Sequence, residues 1–185
     1  MKKIAIVVGS IREGRNAQQV ANWIKEVADQ HGNAEYSILD LKEFNMPLMY
    51  KRFSEYDGTE EEFARLRELH ERTQAADGFV FITPEYNHGL TAALKNYFDL
   101  YYAEFNNKAA GLVSYGSSNG ARAAEQVRNI LGELQVADVR QQVTMSLFTD
   151  FENFSVFKPN PMHADSLKVM LDQVVNWTTA LASLR

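Results

Sequence analysis

Short runs of apolar residues alternate along this chain with longer segments whose apolar residues recur every three or four positions. The runs are rich in β-branched residues and end at glycine or other turn residues, which is typical of strands buried in a parallel sheet. They predict five strands, at residues 4–8, 35–40, 78–83, 109–114 and within 139–147.

The segments between the strands have the apolar spacing of helices that pack on one side. They predict helices near residues 17–31, 59–73, 90–101, 124–134 and 167–181. Because strands and helices alternate, we expect a parallel sheet with helices on both faces. The pattern therefore predicts one α/β domain over residues 1–185, folded as a three-layer sandwich. The connection at 41–59 is unusually long, and we expect it to form a site wall or a lid.

Composition and charge narrow the class of protein. The chain is 45% hydrophobic and 23% charged, as an ordinary globular domain is. Its net charge of −5 lacks the basic excess of a nucleic-acid binder, so we expect no nucleic-acid partner. No run approaches the roughly 18 apolar residues of a membrane span, and the first run is too short for a signal peptide. With no cysteine for disulfides or thiol chemistry, we expect a soluble cytoplasmic protein.

The turn after the first predicted strand, Gly9-Ser-Ile-Arg-Glu-Gly-Arg-Asn16, suits an anion. Backbone N–H groups at a helix start attract negative charge, and Ser10, Arg12 and Arg15 add a hydroxyl and two guanidinium groups. The turn is not a P-loop, because Arg15 stands at the lysine position. It is not a dinucleotide motif either, because Ile11 replaces the second glycine. It predicts a site for one terminal phosphate, with a solvated surface turn as the alternative.

A second turn, Pro84-Glu-Tyr-Asn-His-Gly89, follows the third predicted strand. Successive N–H groups from Glu85 to Asn87 are placed to bond the polar edge of a flat ring, and Tyr86 to cover its face. The alternative is that the proline, asparagine and glycine only form an ordinary turn. Since the carboxyl ends of parallel strands meet at one edge of a sheet, the two turns together predict a mononucleotide cofactor.

These two motifs, with Leu94-Lys-Asn96 and Leu112-Val-Ser-Tyr-Gly116, resemble the NADPH-dependent FMN reductase family in order and spacing. The resemblance runs from residue 3 to about residue 135. It implies a flavodoxin-like fold with strand order 2-1-3-4-5 and FMN as the cofactor. It also implies hydride transfer from NADPH or NADH to FMN, and then to a flavin, quinone, azo compound or similar small electron acceptor.

The resemblance also assigns site residues. It implies that the FMN phosphate is held by Ser10, Arg12, Arg15, Asn16 and Ala17. It implies that the isoalloxazine ring is lined by Pro84, Glu85, Tyr86 and Asn87, and at its other edge by Tyr115, Gly116 and Ser117. No side chain is predicted as a general acid or base, because the flavin carries the chemistry.

The sequence is also compatible with two other classes of function. Gly116-Ser-Ser-Asn-Gly120 fits the G-x-S-x-G elbow of a serine hydrolase, with Ser118 as nucleophile and Asp150 and His163 following in triad order. The other alternative is a flavin-binding electron carrier without its own substrate. No metal is expected, because the four histidines are scattered without metal-site spacing.

Aromatic residues exceed what one core face needs in two segments. One set is Tyr97, Phe98, Tyr101 and Tyr102, on a helix that the resemblance places at a dimer interface near the flavin. The second set recurs every three residues and is expected to pack a loop onto the body or onto a partner subunit: Phe148, Phe151, Phe154 and Phe157. We therefore expect a homodimer or a dimer of dimers.

Overall fold

A five-stranded sheet forms the centre of the computed structural model, which describes all 185 residues. The strands are β1 Lys3–Val8, β2 Glu35–Asp40, β3 Gly78–Pro84, β4 Lys108–Gly116 and β5 Val136–Ser146. Their order is β2-β1-β3-β4-β5, and every neighbouring pair is parallel. The five predicted strands and their order are confirmed.

Helices cover both faces of the sheet, as predicted. Residues of α1 Ala17–His31 and α5 Met162–Leu181 pack on one face. Those of α2 Glu60–Ala75, α3 Ala92–Leu100 and α4 Ala121–Glu133 pack on the other. A short antiparallel hairpin, β6 Phe151–Glu152 and β7 Val156–Phe157, precedes α5. None of the helices combines the length and the apolar character needed to cross a bilayer.

The two cores follow from the alternation of side chains along each strand. In β3, Phe79 and Phe81 enter the core beneath α2, α3 and α4, whereas Val80 and Ile82 enter the core beneath α1 and α5. All four side chains are fully buried. Because helices cover both faces of the sheet, the residues of this strand form a continuous apolar run in the sequence.

The fifth strand begins three residues earlier than predicted, at Val136. The pairing shifts in its middle, because Ala110 pairs with Asp138 whereas Leu112 pairs with Gln142. Three residues of β5 therefore face the single residue Gly111, and this bulge breaks the periodicity that the sequence prediction relied on.

Most of the aromatic residues around α3 are buried within the chain. This corrects the expectation that they exceed what one core face needs. Tyr97, Phe98 and Tyr101 are buried within the chain, and only Tyr102 is substantially exposed. The Tyr97 hydroxyl lies 2.6 Å from the hydroxyl of Thr73, and the Tyr101 hydroxyl donates to a backbone carbonyl of α2. Burial raises the pKa of both phenols, so they stay protonated. These rings therefore need no partner subunit to cover them.

Candidate functional site

Three turns meet at the carboxyl edge of the sheet, after β1, β3 and β4, and enclose an open cavity of about 290 Å³. This volume is near the lower end of the range of small-molecule sites, about 300–1,000 Å³. The cavity is lined by residues 12–16, 84–86, Tyr115, Gly116, Leu147 and Phe154. Eight of the predicted site residues thus come together here: Arg12, Arg15, Asn16, Pro84, Glu85, Tyr86, Tyr115 and Gly116.

Four predicted residues do not line the cavity itself. Ser10 and Ala17 lie at the two ends of the first turn and are fully buried. Asn87 and Ser117 are exposed at the rim of the cavity, next to the lining residues Tyr86 and Gly116. The long segment 41–59 does not line the cavity either. Its residues Leu41, Met46 and Leu48 instead form an apolar cleft of about 160 Å³, shared with Ile11 of the first turn.

The N-terminus of α1 is left without a cap. Asn16 occupies the N-cap position, yet its side chain makes no capping hydrogen bond, and the first turn of the helix has no acidic residue. No backbone N–H from Ser10 to Gln18 finds an acceptor within the chain, including the buried N–H groups of Ser10 and Ala17. Buried N–H groups are nearly always paired, and a helix N-terminus carries partial positive charge. Both properties suit the binding of an anion at this turn.

The two arginines of this turn have different roles, which the sequence did not distinguish. Arg15 forms a bidentate ion pair with Asp40 and also donates to the carbonyl of Ser10, and its side chain is only 11% exposed. Arg12 is exposed, forms no ion pair, and lies 5.7 Å from the ring centre of Tyr86. Arg15 thus holds the turn in shape, and Arg12 is the guanidinium whose charge remains available.

Asp40 is a residue that sequence reasoning missed. It ends β2 and is the register partner of Val8, so the parallel pairing brings it beside the start of the first turn. Its carboxylate also accepts from the backbone N–H of Lys42, which fixes the following 3-10 helix Leu41–Phe44. The signal available in the sequence was an acidic residue at the carboxyl end of the neighbouring strand.

The second turn is linked to the first through two hydroxyls. The oxygens of Ser10 and Tyr86 lie 2.9 Å apart. Glu85 N–H donates to the carbonyl of Tyr115, and Tyr86 N–H to the carbonyl of Gly89. Of the three N–H groups expected to face a ring, only that of Asn87 has no acceptor, and its backbone is left-handed with φ 50°.

The Glu85 carboxylate binds protein rather than pointing to solvent. It accepts from the backbone N–H of Arg122 at 3.1 Å and from the Arg122 side chain at 2.6 Å. The carboxylate therefore caps α4, whose N-cap position, Gly120, has no side chain to do so. This contact joins the second turn to the start of α4, the helix that follows the third turn.

The third turn is tightly packed against the second. A Cβ on Gly116 would lie 3.1 Å from the Cβ of Glu85, so glycine fits best there. Tyr115 is buried, and burial is the main reason that its pKa is raised. Ser117 has an N–H group without an acceptor, as Asn87 has in the second turn.

The hydrolase arrangement is only partly present. His163 Nε2 lies 3.0 Å from Asp150 Oδ1, as a triad would require, but the Ser118 hydroxyl makes no hydrogen bond to His163. Burial opposes ionisation of Asp150, yet N–H donors from Asn160 and Ser146 outweigh it, so the pKa of Asp150 is lowered. This carboxylate organises the loop between β5 and α5.

Together, the fold and the site define a flavodoxin-like α/β protein with a turn of unpaired N–H groups at the carboxyl edge of its sheet. The sequence model of the NADPH-dependent FMN reductase family matches residues 2–150. The chain belongs to this family. It is therefore an oxidoreductase of the NAD(P)H-dependent FMN reductase class, which disfavours both the hydrolase and the carrier without a substrate.

Individual relatives support the assignment of the chain to this family. An NAD(P)H-dependent FMN reductase of Schizosaccharomyces pombe is 33% identical over 72% of this chain and 68% of its own length. A quinone reductase of Escherichia coli is 30% identical over 70% of this chain and 69% of its own. The solved structure of FerB, a flavoenzyme NAD(P)H:(acceptor) oxidoreductase of Paracoccus denitrificans, superposes with a TM-score of 0.74. That structure covers 97% of this chain and 98% of its own at 18% identity, which supports the fold.

The residues present fit FMN. The uncapped N-terminus of α1 and the unpaired Arg12 match a phosphate dianion in charge. The rim N–H groups of Asn87 and Ser117 are free to bond the polar edge of a flavin ring. No cluster of histidine and acidic side chains that could hold a metal ion is found.

Proposed function

We propose that residues 1–185 form one FMN-binding domain whose cavity at the carboxyl edge of the sheet holds the cofactor. The phosphate is bound by the N–H groups of residues 10–18 and by Arg12, with Ser10, Asn16 and Ala17 forming the turn around it. Arg15 supports that turn through Asp40. The single observation that carries the proposal is the row of N–H groups without acceptors at the start of α1.

The flavin ring is proposed to lie against the second and third turns. Pro84, Tyr86 and Tyr115 supply its apolar and aromatic wall, and Asn87 and Ser117 supply N–H donors. Glu85 and Gly116 pack closely, and Glu85 N–H donates to the carbonyl of Tyr115, so the two turns are held together. When bound, FMN supplies the group that takes hydride from NAD(P)H and passes electrons to the acceptor.

The protein's own part in the reaction is binding and orientation. The N–H donors are fixed in the backbone before any ligand arrives, so they can stabilise negative charge on the ring without rearranging. The cavity is open to solvent on one side, which leaves room for the nicotinamide and the acceptor to use the same face in turn. We therefore propose ping-pong kinetics, with flavins, quinones or azo compounds as the small acceptors.

We also propose that the protein forms a homodimer or a dimer of dimers in the cytoplasm. Ile11 and Leu48 are exposed apolar side chains at the rim of the apolar cleft. Tyr50, in the same long segment 41–59, is exposed as well. Exposed apolar groups gathered beside a site favour coverage by a second subunit. The absence of cysteine is compatible with a reducing compartment.

The phosphate assignment is tested by charge reversal. Arg12→Glu is expected to weaken FMN binding by about 10- to 100-fold, because a charge-assisted hydrogen bond contributes about 1.5–3 kcal/mol. Arg52→Glu is the matched control, since Arg52 is also exposed and also forms no ion pair. Quenching of FMN fluorescence measures both affinities. Equal affinities in the two variants would remove the phosphate from the first turn.

A further inference from the structure

The hairpin β6–β7 lies just beyond the residues that match the family, 2–150. Its turn carries Phe154, which lines the proposed FMN cavity even though 58% of the residue is exposed. We propose that Phe154 determines flavin specificity: the hairpin closes the phosphate end of the cavity. The site then takes a flavin ending in a monophosphate and rejects one extended by a second phosphate and adenosine. This inference rests on the proposed FMN site.

Three hydrogen bonds tie the hairpin to the first turn of α1. Asn16 Nδ2 donates to the carbonyl of Phe154 at 2.7 Å. Gln19 Nε2 donates to the carbonyl of Ser155 at 2.8 Å, and Gln19 Oε1 accepts from the N–H of Phe157 at 3.1 Å. The hairpin is thus attached to the helix end at which the unpaired N–H groups are gathered.

The backbone of the hairpin turn is strained. Asn153 and Phe154 both have positive φ, at 49° and 59°. Asparagine tolerates this left-handed region, but a bulky phenylalanine rarely adopts it. Such a conformation persists only where its surroundings fix it, and such sites are often functional. Glycine would adopt the same backbone conformation without this strain. The presence of phenylalanine at position 154 therefore costs strain energy, which points to a role for its ring.

Aromatic packing holds the rest of the hairpin in place. Phe151 is buried and lies 5.5 Å, ring centre to ring centre, from Tyr115 of the cavity wall. Phe157 packs edge-on against Trp23 of α1 at 5.6 Å. These two contacts confirm that part of the phenylalanine series packs the loop onto the body. Phe154 is left facing the cavity, with Phe148 packed edge-on behind it.

The position of the hairpin limits which groups can extend beyond the phosphate of a bound flavin. Asn16 is the N-cap of α1, and its amide holds the carbonyl of Phe154 directly beside the proposed phosphate position. FMN ends there, whereas FAD must lead a second phosphate and adenosine out of the turn, past the hairpin. Because its Nδ2 group already donates to Phe154, Asn16 acts as a positioning residue for this wall.

The test compares FMN and FAD affinities in three proteins by calorimetry, with FAD also titrated in competition with FMN. Wild type is expected to prefer FMN by at least about tenfold, within the usual range for steric discrimination. Phe154→Gly is expected to lose most of that preference through tighter FAD binding, with a melting temperature that is unchanged or higher. Val156→Ala, an exposed change on the same hairpin that does not line the cavity, should keep the wild-type ratio.

Gln19→Ala provides a second route to the same result, because it removes two of the three hydrogen bonds that tie the hairpin to α1 without changing the cavity lining. It should also lower the preference for FMN. An unchanged FMN-to-FAD ratio in Phe154→Gly, or equal affinities in wild type, would overturn this inference while leaving the FMN site intact. Failure of wild type to bind FMN at all would instead overturn the proposed function.

Discussion

Asp40→Ala is expected to lower the free energy of unfolding by about 3–5 kcal/mol, the usual loss when one partner of a buried ion pair is removed. The Arg15 and Asp40 side chains are only 11% and 9% exposed, so the guanidinium would be left largely buried and without a counter-charge. The first turn would also lose its link to β2, so FMN binding should weaken together with stability. Urea unfolding measures the first effect and fluorescence quenching the second.

The control for this variant is Asp29→Ala. Asp29 pairs with Lys25 on the surface of α1, where the side chains are 52% and 33% exposed. An exposed pair of this kind contributes only about 0.2–1 kcal/mol. If Asp40→Ala cost no more than Asp29→Ala, Arg15 would not depend on Asp40, and its assignment as a support of the turn would be wrong.

Gly9→Ala is expected to lower the free energy of unfolding by about 1–3 kcal/mol, as overpacking does. An added Cβ would lie 2.5 Å from the carbonyl oxygen of Ile82, the group that accepts the Gly9 N–H at 3.0 Å. The backbone of β3 cannot move away without losing that bond. The Gly9 carbonyl also accepts from the Thr91 hydroxyl, so the start of α3 is disturbed as well.

Gly132→Ala is the matched control for this substitution. Gly132 lies inside α4, and nothing lies within 4 Å of an added Cβ. Alanine is favoured over glycine inside a helix by roughly 0.5–1 kcal/mol, so this variant should be slightly more stable than wild type. Thermal unfolding of both variants measures the difference. Equal effects with the same sign would show that close packing at Gly9 does not shape the first turn.

The fold could be predicted from the sequence because its main signals are local. Continuous apolar runs such as residues 78–83 mark strands covered on both faces, and the structure contains all five strands. The start of α2 was also predicted, near residue 59, and Thr59 and Glu62 form a capping box there. The start of β5 was missed because the bulge opposite Gly111 removes the periodicity there.

The cavity could be located from the sequence, but the side-chain pairing around it could not. Two turns after buried strands were enough to place the cavity. Which arginine is free depends on Asp40, 25 residues away from Arg15, and that contact arises only through the register of β1 and β2. The hairpin contacts of Asn16 span 138 residues, so no local pattern could reveal them. Long-range side-chain pairing is decided by the assembled fold.

The central claim is that the unpaired N–H groups at the start of α1, with Arg12, bind the FMN phosphate. Calorimetric titration of the wild-type protein with FMN and with riboflavin, which is the same flavin without the phosphate, tests this most directly. We expect FMN to bind about a hundredfold more tightly or better, because two or more charge-assisted hydrogen bonds depend on the phosphate. Equal affinities for the two flavins, or no heat with either, would contradict the account.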